Sequence, residues 1–243
     1  MKKIISLFLV MALLVTTAVV FVPSASAASK PGKPTVVAYD CAYAIDGAEL
    51  IFKKPSGGAV GYHIQVMDLN MKVVANAYAK SSAFKKITTG VYKGSYVNTN
   101  MHLWKKIKAG KWYTVRVRGF NISNSSYTYS SGKPSYAVYG TYSGVTYAAC
   151  DVTNLKVSSP HKNSLKASWS KVAGTTSYKM EINCQDKNRK SLIVRHVSTS
   201  SNGFHIAIPE ETKYITILVW LKKDVGNKTY VSDSSSAYHK FKR

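Results

Sequence analysis

The sequence predicts an all-β protein, with two similar β-sandwich or barrel domains in tandem behind a secretory signal. Three observations carry that expectation. After residue 30, apolar residues recur with a period of two, in short runs rich in Val, Ile, Tyr and Phe. Gly, Pro, Asn and Ser cut those runs at intervals of roughly ten residues, the punctuation of a sandwich or barrel. The pattern also occurs twice: AELIFKKPSGGAVGYHIQV around Phe52 matches SLKASWSKVAGTTSYKMEI around Trp169, and IKAGKWYTVRV matches IPEETKYITIL. Tyr113 and Tyr214, Ile107 and Ile208, and Tyr129 and Tyr230 are each 101 residues apart.

The chain opens with Lys2 and Lys3, then an apolar run from Ile4 to Val22, then Pro23-Ser24 and the small residues Ala25-Ser26-Ala27. This is the three-part pattern of a signal peptide, with cleavage expected after Ala27. Residues 1–27 are therefore read as signal, leaving 243 − 27 = 216 mature residues. No second apolar span is evident, so a transmembrane anchor is not expected. Loss of Lys2 and Lys3 leaves 32 basic and 11 acidic residues, a net charge of +21. That charge is spread along the chain among 17 tyrosines, unlike the clustered charge of a disordered basic tail. The expectation is a folded domain pair with a cationic surface.

Each half resembles a fibronectin type III domain, and the pair resembles a bacterial secreted version. The motifs that carry the resemblance are Phe52 followed by Gly61-Tyr62, and Trp169 followed by Tyr178. After them come Ile107 to Tyr113, and Ile208 to Tyr214. The resemblance implies two immunoglobulin-like sandwiches: residues 31–140 with an insertion between strands C and F, a linker 141–149, and residues 150–243. It implies strand A at Thr35 to Ala42, B at Ala48 to Lys53, C at Gly61 to Met67, F at Trp112 to Phe120 and G at Ser135 to Tyr139. Tyr113 and Tyr214 would each close a tyrosine corner, the hydroxyl bonding back to upstream backbone. The expected first core is Val37, Leu50, Phe52, Tyr62, Ile64, Val66, Tyr113, Val115 and Val117. The second is Leu155, Leu165, Trp169, Tyr178, Met180 and Ile182, with the facing of ITILVWL blurred by Val219 and Trp220. Phe52 to Tyr113 spans 61 residues against 45 from Trp169 to Tyr214, so the first half carries about 16 extra residues within 79–106. Cys41 and Cys150 would lie near the junction pole, where a bridge is possible; Cys184 would lie about 25 Å from Cys150, too far to pair with it. Three unpaired thiols stand as the other reading.

Catalytic chemistry finds no support in the sequence. His63, His102, His161, His196, His205 and His239 lack zinc-site spacing. The one adjacent acidic pair, Glu210-Glu211, falls in a turn, where it cannot flank a glycosidic bond. No nucleophile elbow, phosphate-cradling glycine loop or C-x-x-C is present. No enzyme activity, metal or cofactor is expected.

The remaining feature is strand F. With Tyr113, Val115 and Val117 inward, Trp112, Thr114, Arg116 and Arg118 form an outer row, beside His63 and Gln65 of strand C. Lys105, Lys106, Lys108, Lys111 and Trp104 flank it in sequence. Such a row serves equally as the polar outside of a sandwich, its Arg stems covering aromatic surface. Read as a site, it is a cationic strip with Trp112 as a stacking plate, suited to an anionic cell-wall polymer or acidic polysaccharide. The function expected is a secreted binding or adhesion module on a Gram-positive surface. A carbohydrate-binding accessory using Tyr92, Tyr96 and Trp104, and a pure spacer or assembly subunit, are the alternatives. Nucleic acid shares the electrostatics, but no motif for reading it is present.

Overall fold

The structure, a computed structural model, describes residues 28–42, 47–98, 106–122, 133–134, 136–159 and 161–241. The expected signal segment 1–27, Trp104 and Lys105 lie outside them. Among the described residues no helix is long and apolar enough to cross a membrane.

The first sandwich packs two antiparallel sheets. One runs in the order β1 (Thr35–Ala42), β2 (Gly47–Lys53), β6 (Tyr96–Asn98) and β5 (Lys85–Lys86). The other runs in the order β4 (Val73–Lys80), β3 (Gly61–Met67), β7 (Trp112–Ile122) and β8 (Ala137–Tyr139). A further strand, β9 (Thr146–Ala149), pairs with the first half of β7. Strands A and B (β1 and β2) thus lie in one sheet, and C, F and G (β3, β7 and β8) in the other. Alternation decides which side chains meet: Tyr62, Ile64 and Val66 of β3 face Tyr113, Val115 and Val117 of β7, all buried. The ring of Phe52 packs edge-on to Tyr62 at 4.8 Å and to Phe84 at 5.0 Å, so a residue of the insertion completes the aromatic centre. Part of that insertion forms the β5–β6 hairpin.

In the first sandwich, β1 and the stretch 141–149 differ from the sequence reading. Val37 is 39% exposed, not core, because the β1–β2 register shifts between Val36 and Ala38 and turns it outward. The stretch read as linker, 141–149, ends in a strand on β7: Ser143 N–H bonds Val117 C=O, and β9 pairs Trp112 to Val115 with Ala149 to Thr146. Strand F therefore carries strand G up to the second sandwich with no free tether between the two.

The second sandwich sets β10 (Lys156–Ser158), β11 (Ser164–Ser168) and β14 (Gly203–Ala207) against β13 (Ser191–Thr199), β12 (Ser177–Gln185), β15 (Tyr214–Val225) and β16 (Lys228–Lys240). Its core gathers Leu165, Trp169, Tyr178, Met180, Ile182, Ile215, Ile217, Val219 and Leu221, with Leu155 half-buried at the margin. Tyr62 stands opposite Gly119, whereas Tyr178 stands opposite Leu221, so the two F strands are equivalent at 221 − 119 = 102 residues. The 101-residue landmarks are one short, and one residue is a change of face. Tyr113 accepts the Lys108 N–H at 2.9 Å and closes its corner as expected. Tyr214 is not its counterpart. Ile215 takes the inward position, and Tyr214 turns outward to stack on Tyr238.

Cys150 is disulfide-bonded, and Cys184 is buried and free. The side chain of Cys41 lies outside the described residues; its backbone pairs with Ala48 in β1.

Candidate functional site

The outer row of β7 is divided in two by the second domain. Trp112 is 3% exposed, and its ring belongs to the second core, alongside Val152 and Val172. Its indole N–H donates to Thr175 Oγ1 at 2.8 Å. Thr114 is also buried, its hydroxyl 3.7 Å from Met71 Sδ in the β3–β4 turn. Leu69 of that turn reaches across to Gly174, where its Cδ1 lies 2.8 Å from the position of any added Cβ. The expected stacking plate is therefore a fastener between domains. Burial wins because strand F begins at the pole where strand G delivers the second sandwich, and a large amphipathic ring gains most by entering that junction.

Arg116 and Arg118, two and four residues further from the junction, stay half-buried on the open face. Their positions are fixed by a connected network. Arg116 Nε and Nη2 donate to Gln65 Oε1 at 2.9 and 2.7 Å. Gln65 Nε2 donates to Asn76 Oδ1 at 3.1 Å. Arg118 Nε donates to His63 Nδ1 at 3.3 Å, and the Tyr142 hydroxyl lies 2.9 Å from the same nitrogen. A guanidinium can only donate, so Nδ1 is the acceptor and the ring proton sits on Nε2. That proton is donated to Asn76 Oδ1 at 3.0 Å. His63 stacks flat on Tyr78, 4.3 Å between centroids. Burial, with the Arg118 and Arg116 charges adding to it against the Asn76 bond, brings its pKa down to about 4. The imidazole is neutral at pH 7 and adds no charge of its own.

Tyr142 is the piece that sequence reasoning placed in a linker. The break in strand G between Tyr139 and Thr146 swings its ring over the sheet. Arg116 lies 4.1 Å and Arg118 4.4 Å from its centroid, and Arg118 is also 4.0 Å from the Tyr139 ring. Two guanidiniums are thus braced on aromatic faces. Among the described residues neither takes part in an ion pair; the pairs present are Lys162–Glu210, His196–Glu181 and Lys222–Asp224.

Lys106, Lys108 and Lys111 are exposed, but they sit before β7, toward the junction, and do not join the network. They extend the positive surface without shaping it. The aromatic platform Tyr92, Tyr96 and Trp104 does not assemble among the described residues: Tyr96 packs half-buried on Phe52, Tyr92 is exposed, and Trp104 lies outside. No group of His, Cys, Asp and Glu that could hold a metal occurs among the described residues.

No family profile and no curated protein sequence matches this chain. Among solved structures it is similar to a two-domain fibronectin type III segment of chicken tenascin, at 12% identity. That match covers 88% of this chain and 100% of the segment, with a TM-score of 0.35. It is also similar to the FN1–FN3 domains of chicken CNTN1, at 14% identity, over 89% of this chain and 65% of that one, with a TM-score of 0.31.

Proposed function

We propose that this protein is an exported, non-catalytic binding module held on an anionic envelope polymer such as teichoic acid or acidic polysaccharide of a Gram-positive surface. Sandwiches of this class commonly serve as binding, adhesion or spacer units. The observation that carries the reading is the Arg116–Arg118 pair. Gln65, His63 and Tyr142 hold both guanidiniums in place with neutral groups, so their charge is oriented but not cancelled. Preorganisation lowers the entropy lost when a phosphate or carboxylate settles between them. The net charge of the chain supplies long-range attraction toward any polyanion.

The test is retention of the residue 28–243 protein on washed Gram-positive cell walls across a salt series. Exposed charges are screened within about 10 Å at 0.1 M salt, so retention should fall as salt rises. The pair Arg116→Ala and Arg118→Ala should elute at lower salt than Lys106→Ala and Lys108→Ala, although both remove two charges. Equal elution of the two variants would reduce the face to general charge. No retention at low salt would sink the reading and leave a spacer.

A further inference from the structure

A concave surface lies where β1 and β9 meet β16 of the second domain. It is a cleft of about 530 Å³, within the range of small-molecule sites. Four tyrosines line it from four separate segments: Tyr39 of β1, Tyr92 of the β5–β6 loop, Tyr147 of β9 and Tyr230 of β16. Tyr147 and Tyr230 come from different domains and meet at 5.0 Å with an interplanar angle of 57°. The side chains of Val37, Val145 and Val231, also in the lining, are 39, 38 and 54% exposed. The Tyr39 hydroxyl is buried without a hydrogen-bond partner. Among the described residues, Lys228 is the one charged residue in the lining.

We infer that this cleft binds a neutral oligosaccharide segment of two or three sugar rings. A pyranose offers an apolar C–H face and a rim of hydroxyls, and needs plates and hydrogen-bond partners together. Tyrosine supplies both in one side chain. A purely apolar ligand would bury tyrosine hydroxyls and a lysine without partners, which is costly. A polyanion would find only Lys228 in the described lining, with Lys223 Nζ 5.5 Å from the Tyr147 ring. Strand addition by a peptide is also disfavoured: β1 ends its sheet, but the segment that lines the cleft is where its register slips, between Val36 and Ala38. A ligand here would touch both domains at once, so binding stabilises their junction as well as the complex.

The probes are maltotriose, cellotriose and chitotriose, followed by saturation-transfer NMR and by tyrosine ring-proton shifts on the residue 28–243 protein. At least one should bind, with affinity unchanged by added salt and unchanged in the Arg116→Ala, Arg118→Ala variant. Tyr230→Ala should weaken it about tenfold, the equivalent of about 1.4 kcal/mol. Because Tyr230 also packs on the second core, Val231→Trp provides the independent block, filling the cleft from an exposed position. Absence of binding by all three sugars would overturn the inference. So would binding untouched by both Tyr230→Ala and Val231→Trp, or binding lost with salt and with the arginine pair. Capture of an alternating Val-Thr octapeptide in place of the sugars would replace it with strand addition.

Discussion

Replacing Trp112 by Ala separates a surface residue from a fastener. A tryptophan side chain buries about 150–250 Å², which at ~25 cal/mol per Å² corresponds to about 4–6 kcal/mol as an upper figure. Measured Trp→Ala changes in cores fall at about 3–5 kcal/mol. Trp112 is nearly fully buried and also donates to Thr175 Oγ1, a bond contributing about 1 kcal/mol net. We expect a loss of about 4 kcal/mol. For a chain of this size that is about 8–16 °C in the thermal midpoint, at roughly 2–4 °C per kcal/mol. The loss should fall on the second domain and on the coupling between domains, since the ring lies in the second core. Calorimetry and urea unfolding of Trp112→Ala, next to Lys111→Ala as an exposed neighbour, measure it. Lys111→Ala should stay within about 0.5 kcal/mol of the parent. If Trp112→Ala behaves like Lys111→Ala, the ring is not a fastener and the argument from its burial fails.

The His63 network makes stability depend on pH. The unfolded imidazole titrates near 6.5 and the folded one near about 4, so between them the unfolded state binds more protons. Stability should be flat above pH 6.5 and fall as pH drops from there toward 4, with His63→Gln reducing the slope; a urea midpoint independent of pH in that window would refute the assignment. The one-residue slip between the F strands gives a paired test. Tyr113→Phe strips the Lys108 N–H of its acceptor and should cost about 1 kcal/mol, within the range for a lost hydrogen bond. Tyr214→Phe should cost far less, and equal losses in the two would restore the 101-residue equivalence.

The sandwiches were legible because alternation is a local property. Residues 61–67 and 112–118 declare their inward side chains one by one, and Phe52, Tyr62, Val115 and Val117 fell where the pattern put them. What misled was anything whose meaning depends on a distant neighbour. Trp112 continues the outward row of Arg116 and Arg118, and nothing near it in sequence announces Thr175. Tyr214 follows the same polar turn as Tyr113, and its facing was settled by the pairing of Tyr178 with Leu221. Around 141–149, Gly140 and Gly144 resemble turn residues, and only pairing with β7 shows that Thr146–Ala149 is strand.

By itself, the sequence determined the class of the fold, its duplication, the two cores and the cationic skin, because burial follows the period of apolar residues and charge follows composition. The tertiary structure alone decided that Trp112 joins the domains, that Tyr142 braces the arginine pair, and that four scattered tyrosines line one cleft. Those three are contacts between segments far apart in the chain. Their geometry follows from how strands F and G dock the second sandwich, and no local pattern encodes a docking angle.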